Sequence, residues 1–211
     1  MPMDLDGFGR DDICEQIDVS RETFERLDRV ITCLDAWRKT MNLIGPSEWD
    51  HIWRRHIWDS LQIWPLLPPN ARIIDLGSGG GFPALPLACA LTASGTGHVT
   101  LVESVGKKCN FLRAAIDAAG LNATVHEGRI ETCMVRGVDV VTARALAPLP
   151  KLLSMASPWM SEGAFALFHK GAQWKEELTA AAARWTFVSQ AIPGRSGGSG
   201  IILKLSGVSH D

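Results

Sequence analysis

Residues 73–83 read IIDLGSGGGFP. The apolar pair Ile73-Ile74 followed by Asp75 predicts a buried strand that ends in an acidic residue, and the glycine run then leads into a helical stretch. Glycine lets the backbone approach a ligand closely because no Cβ stands in the way. The free N–H groups at the start of the next helix face the same ligand. This stretch therefore predicts a strand–turn–helix unit that binds a cofactor at the carboxyl edge of a parallel sheet.

Strand and helix patterns alternate along the chain from residue 71 onwards. The predicted strands are Arg72–Leu76, His98–Glu103, Ala123–Glu127, Val138–Ala143 and Ala164–Lys170, and the predicted helices are Ala84–Ala93, Lys107–Ala119 and Pro148–Met160. Two later runs, Trp185–Ala191 and Gly200–Leu205, predict a closing hairpin. The alternation is typical of an α/β fold with a Rossmann-like, doubly wound, mostly parallel sheet of seven strands.

The chain ahead of this domain divides into two predicted parts. Residues 1–18 read as an acidic, flexible leader, and residues 19–70 as an N-terminal helical extension. The first helix of the extension begins after the N-cap residue Ser20. A second helix is predicted over 47–64, where prolines end it. The cofactor-binding domain is then expected to cover 71–207.

Composition limits the class of protein. The chain has 211 residues, 46% hydrophobic and 21% charged, which is ordinary globular usage. Its five cysteines are odd in number and form no C-x-x-C pair, which argues against a disulfide framework or a zinc finger and for a reducing compartment. The acidic N-terminus and the lack of an apolar run of about 18 residues predict neither a signal peptide nor a membrane span. A cytoplasmic protein without membrane contact is expected.

The net charge of −2 hides an asymmetry along the chain. Residues 1–20 hold six acidic residues against one basic residue, so the rest of the chain is weakly basic. A nucleic-acid partner would therefore have to bind a local basic surface.

The glycine pattern and its acidic neighbours indicate which cofactor binds. Gly77, Gly79 and Gly81 give G-x-G-x-G, which departs from the dinucleotide pattern G-x-G-x-x-G. Asp75 would repel a pyrophosphate but suits a cofactor with an ammonium or sulfonium centre, which indicates S-adenosylmethionine. Glu103, at the end of the second strand, is placed to accept hydrogen bonds from both ribose hydroxyls. The alternative for Glu103 is a solvated acid at a strand end.

The ends of the third and fourth strands complete the predicted site. After the third strand, Ile130 is placed to pack on an adenine ring and Glu131 to lie at its polar edge, although both also fit an ordinary surface. The fourth strand ends in Thr142-Ala143-Arg144-Ala145, without the Pro-Pro-aromatic motif of amine methyltransferases or a well-placed nucleophilic cysteine. An acceptor with a free lone pair, such as guanine N7, needs neither. Catalysis would then be alignment, with Arg144 gripping cofactor, phosphate or guanine O6.

Six short sequence motifs follow one another along the chain. They are NLIG at 42–45, RHIWDSL at 55–61, DLGSGGGFP at 75–83, KK and FL at 107–112, RA at 144–145 and HKG at 169–171. This series resembles the bacterial small-subunit ribosomal RNA guanine-N7 methyltransferases, the RsmG or glucose-inhibited division protein B family.

The resemblance implies a Rossmann-like class I methyltransferase with an N-terminal helical extension. It implies S-adenosylmethionine as cofactor and, as substrate, a guanine of 16S rRNA in the 530-loop region near the decoding site of the small ribosomal subunit. A monomer without a metal is expected. Four positions depart from the usual family motifs, namely Met41, Ala84, Lys108 and Ile130. Of these, Ala84 replaces a glycine and would tighten the turn if its φ were positive.

The site residues follow from the strand ends and the resemblance together. The candidate cofactor-binding residues are Asp75, Gly77, Gly79, Gly81, Phe82, Glu103, Ile130, Glu131 and Arg144. The candidate catalytic residues, with positioning roles, are Arg144, His56 and Asn42. The candidate RNA-binding residues are Arg54, Arg55, Lys107, Lys108 and Lys170.

Several alternatives stay open. His56, Asp59 and Ser60 share one helical face, which suits a polar network that ties the extension to the main domain or a contact with RNA; a hydrolase triad or metal pair fits poorly. Five of the eight tryptophans lie in the extension, where they either pack helices or stack on bases. A methyltransferase for another RNA, a protein or a small molecule, a non-catalytic nucleotide-binding or ribosome-assembly module, and a nicotinamide dehydrogenase are the other functions considered.

Overall fold

The computed structural model describes residues 4–95 and 97–210 of the chain. Seven strands form one sheet in the order β3-β2-β1-β4-β5-β7-β6, and β7 alone runs in the direction opposite to the other six. The strands are β1 Arg72–Leu76, β2 His98–Glu103, β3 Ala123–Glu127, β4 Val140–Arg144, β5 Phe165–Lys170, β6 Trp185–Pro193 and β7 Ile201–His210. The helices are α1 Arg10–Cys14, α2 Arg21–Arg38, α3 Asp59–Leu61, α4 Ala84–Ala93, α5 Gly106–Ala119, α6 Leu149–Met160 and α7 Trp174–Ala182.

Helices cover both faces of the sheet. Along β1, Ile73 belongs to a core shared with α2, α4 and α5, whereas its neighbour Ile74 belongs to a second core shared with α6 and α7. This alternation follows from the period of two in a strand, which sends successive side chains to opposite faces. The predicted doubly wound, mostly parallel α/β fold is confirmed.

The strand order creates a crevice at the carboxyl edge. β1 pairs with β2 on one side and with β4 on the other. The chain therefore leaves β1 in one direction and later returns on its other side, which opens a binding crevice at that point. The residues that end these three strands, Leu76, Glu103 and Arg144, meet there.

The acidic N-terminal segment differs from the expected flexible leader over the part that is described, residues 4–18. It carries helix α1 and buries Phe8, Ile13 and Ile17 in the first core. The carboxylate of Asp4 is buried as well and accepts the backbone N–H groups of Trp53 and Arg54 at 2.9 and 2.8 Å. A few well-spaced apolar residues therefore outweigh the acidic composition of this segment.

The second predicted helix of the extension is broken into shorter turns. A 3₁₀ turn covers Pro46–His51, a π-helical segment covers Trp53–Trp58, and α3 follows directly. The N-cap of the first turn is Gly45, two residues before the predicted helix start at 47, and the Gly45 N–H donates to Glu48 Oε2 at 3.1 Å. π-Helical segments are rare and are frequently found at functional sites.

The tryptophans of the extension pack the core. Trp53 and Trp58 are almost completely buried, and Trp37, Trp49 and Trp64 pack partly against the same cluster. These positions favour the packing interpretation over a stacking platform for bases. In the part of the chain that the structure describes, no helix is long and apolar enough to cross a membrane.

The carboxyl-terminal hairpin is confirmed and is longer than predicted. β6 and β7 pair along most of their length, and β7 continues to His210, past the predicted domain end at residue 207. Helix α7, between β5 and β6, is an element that the sequence did not predict.

Candidate cofactor and acceptor site

The glycine turn between β1 and α4 is built from three left-handed residues. Gly77, Gly79 and Gly81 have φ angles of +66°, +54° and +86°. A Cβ on Gly77 would lie 2.5 Å from Leu146 Cδ1, and one on Gly81 would lie 2.3 Å from Leu85 Cδ1. A Cβ on Gly79 would meet nothing closer than a backbone oxygen at 3.7 Å. Glycine is therefore needed at 77 and 81 for internal packing, whereas the space beside Gly79 is open to a ligand.

The extension lies directly on this turn. A Cβ on Gly80 would come within 2.5 Å of the Leu43 carbonyl oxygen, so the two backbones are in close contact. Asn42, next to Leu43, is exposed and lines a small concavity with residues 38–46. The structure therefore does not bring Asn42 together with the other two catalytic candidates, His56 and Arg144.

Helix α4 begins immediately after the turn. Ala84 is its first residue and is buried, and the left-handed non-glycine residues of the described chain are Asn70 and Ala145 instead. The φ of Ala84 is thus not positive, and alanine fits here without the expected strain.

The carboxylate of Asp75 lies buried beneath the turn. Asp75 and Thr142 are register partners on β1 and β4, and Thr142 Oγ1 donates to Asp75 Oδ1 at 2.7 Å. Asp75 Oδ2 is also buried but has no hydrogen-bond partner among the described residues. Burial raises the pKa of Asp75 to about 6, so the group is mostly ionised at pH 7. An unpaired, buried anion is costly unless a cation or donor reaches it.

Glu103 ties the end of β2 to the glycine turn. Its Oε2 accepts the Gly79 N–H at 2.9 Å, and its Oε1 accepts the N–H groups of Ser104 and Val105, both at 2.8 Å. A carboxylate has about four acceptor positions, so three are already used. Room remains for one further donor, rather than for the two ribose hydroxyls that were expected.

Arg144, His56 and Phe82 form a wall beside the turn. The His56 and Phe82 rings lie 4.7 Å apart, and the Arg144 guanidinium carbon lies 5.6 Å from the centre of the Phe82 ring. Arg144 Nη2 contacts His56 Nδ1. The structure thus joins two of the three catalytic candidates to the cofactor candidate Phe82.

His56 is held in its neutral form within this wall. Burial lowers the pKa of His56 to about 4, and the charge of Arg144 contributes to this. A neutral imidazole accepts at one ring nitrogen and donates from the other. With Nδ1 facing Arg144, the proton belongs on Nε2, which lies 3.4 Å from Glu48 Oε2.

Asp59 connects the extension to three elements at the carboxyl edge. Its Oδ2 accepts from Arg144 Nη1 at 3.0 Å, and its Oδ1 accepts from Ser196 Oγ at 2.6 Å. Its backbone oxygen lies 2.7 Å from His169 Nε2. Burial raises the pKa of Asp59, but His169, Ser196 and Arg144 together lower it by more, so the carboxyl stays ionised. Ser60, by contrast, donates only to the His56 backbone oxygen.

A cleft of about 1020 Å³ opens on the other side of this wall. Its lining comes from the extension, from the segments that follow β4 and β5, and from the β6–β7 loop at residues 194–200. Arg54, Arg55 and Arg144 lie on it, and Asp59 and Glu48 add carboxylates. The cleft is large enough to hold a nucleotide.

Four of the five RNA-binding candidates lie either at the start of α5 or in the N-terminal extension. Lys107 is exposed and Lys108 half-buried at the start of α5, and neither forms an ion pair with a described residue. Arg55 is 60% exposed, with Glu48 as a distant partner at 3.7 Å. Arg54 pairs with Asp6 and lies over the Phe8 ring.

Lys170 is different from the other RNA-binding candidates. Its side chain is only 8% exposed, and its ammonium lies 2.5 Å from Glu177 Oε2 on α7. The charge is therefore neutralised within the chain, which does not favour the predicted contact with RNA.

The adenine-binding candidates lie in a 3₁₀ turn after β3. Ile130 is half-buried against the second core, and Glu131 is exposed. Both border an apolar groove of about 470 Å³ along α6, outside the larger cleft.

A cluster of possible metal ligands lies between the N-terminal segment and the 3₁₀ turn Pro46–His51, and two of its members, Asp6 and His51, also line the cleft. Oxygen or nitrogen atoms of Asp4, Asp6 and His51 come within 4.8 Å of one another. Contacts within the chain account for the two acids, because Asp4 accepts two backbone N–H groups and Asp6 pairs with Arg54.

Comparison with known proteins gives the family. A family model described as GidB, rRNA small subunit methyltransferase G, matches residues 23–195. The ribosomal RNA small subunit methyltransferase G of Hyphomonas neptunium is 57% identical over 193 residues, covering 92% of each chain. The protein of the same name from Gluconobacter oxydans is 46% identical, over 89% of this chain and 95% of its own.

Solved structures show the same fold at low sequence identity. A SAM-dependent methyltransferase from Aquifex aeolicus matches with a TM-score of 0.59 and 15% identity, over 82% of this chain and 97% of its own. TYW2 from P. horikoshii, in complex with MeSAdo, matches with a TM-score of 0.54 and 12% identity, over 77% of this chain and 62% of its own. With its family model and relatives matched over most of its length, this chain belongs to the rRNA small subunit methyltransferase G family.

Proposed function

We propose that the protein transfers a methyl group from S-adenosylmethionine to N7 of a guanine in 16S rRNA, in the 530-loop region near the decoding site. Membership of the family supports the reaction and the RNA. The observation that carries the proposal within this chain is the unpaired Oδ2 of Asp75, buried under the glycine turn at the crevice between β1, β2 and β4.

The turn fits the proposed cofactor. Asp75 Oδ2 offers an anionic partner to an ammonium, and the open space beside Gly79 lets the ligand approach the backbone. Glu103 has one acceptor position left for a ribose hydroxyl. Phe82 and Arg144 border this region, with Ile130 and Glu131 assigned to the adenine. When bound, S-adenosylmethionine supplies an electrophilic methyl group on a sulfonium.

The residues around the acceptor fit a reaction that needs no proton transfer. Guanine N7 carries a free lone pair, so no side chain has to remove a proton from it. His56 is kept neutral and its Nδ1 is already bonded to Arg144, which makes it a support for Arg144 rather than a general base. Catalysis is then mainly alignment of N7 with the methyl group. The guanine reaches the cleft when it leaves its stack or is single-stranded.

The RNA backbone is proposed to bind along the carboxyl edge. Arg55 and Lys107 offer exposed positive charge there, with the half-buried Lys108 beside them, and each phosphate contact adds affinity that depends on salt. The same proposal has the protein act as a monomer in the cytoplasm.

Labelled methyl transfer tests the proposal. The purified protein is incubated with methyl-labelled S-adenosylmethionine and 30S subunits that lack their native methylations, and the labelled nucleoside is then identified. Label in 7-methylguanosine of 16S rRNA is expected. Label in another nucleoside or RNA would overturn the acceptor assignment. Cofactor binding without any transfer would instead support a non-catalytic binding module.

A further inference from the structure

We propose that Asp59 is a positioning residue for methyl transfer, which holds the Arg144 guanidinium in place beside Phe82. This inference rests on the proposed function for its role in the reaction. Its geometric part, the immobilisation of Arg144 by Asp59, stands on the contacts of this chain alone.

Arg144 is held from three directions. Nη1 donates to the Arg55 backbone oxygen at 2.9 Å and to Asp59 Oδ2 at 3.0 Å, and Nη2 contacts His56 Nδ1. These contacts use three of the five N–H groups of a guanidinium. Among the described residues, none accepts from Nε or from the second N–H of Nη2. Two donors of Arg144 are therefore left for an oxygen acceptor in the reacting complex.

Asp59 is the charged member of this support. The Arg55 carbonyl and His56 are neutral acceptors, whereas the Asp59 carboxylate makes a charge-assisted bond, the stronger kind. Both side chains are about four-fifths buried, with exposures of 21% for Arg144 and 19% for Asp59. Water therefore screens the pair less than it would at the surface.

Asp59 is itself fixed by groups that do not touch Arg144. Ser196 Oγ donates to Oδ1 at 2.6 Å, and Gln62 Nε2 donates to the same oxygen at 3.0 Å. Ser196 belongs to the β6–β7 loop, while Arg144 ends β4. Asp59 thus orients Arg144 with Oδ2, while Oδ1 anchors the Asp59 side chain to a different part of the cleft.

A double-mutant cycle tests the role in the reaction. Asp59→Asn keeps the shape of the side chain, and Arg144→Gln removes the guanidinium. With saturating cofactor and RNA, Asp59→Asn is expected to lower the single-turnover methylation rate about 10- to 100-fold, by analogy with other positioning contacts. If Asp59 acts through Arg144, the double variant is expected to match Arg144→Gln within about threefold. The positioning role would be overturned if the rate losses of the two single variants multiplied in the double variant. It would also be overturned if the Asp59→Asn rate stayed within threefold of wild type.

Two further variants separate positioning from general stability. Asp28→Asn breaks another partly buried ion pair, Arg10–Asp28, whose side chains are 33% and 28% exposed, and is expected to keep the wild-type rate. Ser196→Ala removes one of the two donors to Oδ1, since Gln62 remains, and is expected to lower the rate two- to fivefold in the wild type but not in the Arg144→Gln background. If Asp59→Asn fails to fold, this milder variant decides the same question.

Side-chain NMR tests the geometric part without any reaction. In the wild type, the two Nη signals of Arg144 are expected to be resolved, because bonding on both Nη atoms slows rotation of the guanidinium. In Asp59→Asn they are expected to merge, while Asp28→Asn leaves them resolved. Merged signals in the wild type would overturn the immobilisation. If the wild type binds cofactor and shows resolved signals but methylates no RNA, the proposed function is overturned, and the positioning role of Asp59 in methyl transfer with it. The contact between Asp59 and Arg144 would still stand.

Discussion

Thr142 on β4 donates a hydrogen bond of 2.7 Å to Oδ1 of Asp75, its register partner on β1. The bond fixes the carboxylate in one orientation and leaves Oδ2 buried without a partner among the described residues. The raised pKa of Asp75, about 6, is the electrostatic consequence of this burial.

Cofactor affinity should therefore depend on the ionisation of Asp75. Below pH 6 the carboxyl becomes protonated and can no longer attract an ammonium, so the Kd for S-adenosylmethionine should rise about fivefold between pH 6 and pH 5. Calorimetric titrations between pH 5 and 7.5 measure this. In Asp75→Asn the affinity should be at least tenfold weaker at pH 7 and independent of pH over the same range. A wild-type Kd that does not change below pH 6 would remove Asp75 from the cofactor site.

The stability of the free protein should also fall with pH, through His56. Its folded-state pKa of about 4 lies below the ordinary 6.5, so the unfolded chain takes up the proton first as the pH falls. This contribution is fully present above pH 6.5 and is lost on going down to pH 4, by about 2–3 kcal/mol. The raised pKa of Asp75 opposes this loss of stability. A carboxyl whose pKa is raised by folding favours the folded state as the pH falls from 6 to 4.

Urea unfolding of His56→Gln isolates this contribution. The difference in free energy of unfolding between wild type and His56→Gln should shrink as the pH falls from 7 to 4, while the Asp75 contribution cancels in the difference. His98→Gln, which removes a half-buried imidazole on β2, serves as control. A difference that stays constant over this range would show that His56 is not held neutral by the fold.

Much of the fold could be predicted from local sequence patterns. β1, β2 and β3 begin and end where the alternation of apolar residues predicted, and the glycine turn lies at the predicted carboxyl edge. These features depend on neighbouring residues, and a buried strand next to a glycine run leaves few alternatives. The burial of Ile13 and Ile17 was not predicted, because only two turns of apolar spacing mark that short helix.

The connections of the candidate site were harder to predict, because they join distant parts of the chain. Asp59 was assigned to a polar network or an RNA contact, but its partner Ser196 lies 137 residues away in a glycine-rich loop. Lys170 was expected to bind RNA because α7, which supplies its partner Glu177, was not predicted. Pairing of this kind depends on the tertiary arrangement, and the family motif HKG was the one local signal that marked this region.

Substitutions in the glycine turn can distinguish an effect on stability from an effect on cofactor binding. Gly79→Ala puts a methyl group into the open space beside the turn at a φ of +54°, at a cost of about 1–2 kcal/mol in stability. Its Kd for S-adenosylmethionine should rise at least tenfold. Gly163→Ala is the matched control, since Gly163 also has a positive φ and open space, but lies at the far end of α6. It should lose stability without losing affinity.

Gly77 should behave differently from Gly79. Gly77→Val adds a clash with Leu146 to the strain of a φ of +66°, so binding should be lost together with about 2–4 kcal/mol of stability. Thermal unfolding and cofactor titration of the same samples distinguish the two positions. Equal affinity of Gly79→Ala and wild type would place the cofactor away from the turn.

The salt dependence of RNA binding should identify the charges that face phosphate. Lys107 and Lys108 form no ion pair with a described residue, so replacing both by alanine should lower the slope of log K against log salt by about 1.4–1.8, the value for two phosphate contacts. Lys170→Gln should leave the slope unchanged, because Glu177 already neutralises that charge. Binding of a labelled 16S rRNA fragment, measured between 50 and about 300 mM salt, gives each slope. A slope that falls for Lys170→Gln but not for the double variant would place the RNA over β5 and α7, on the far side of Arg144 from the start of α5.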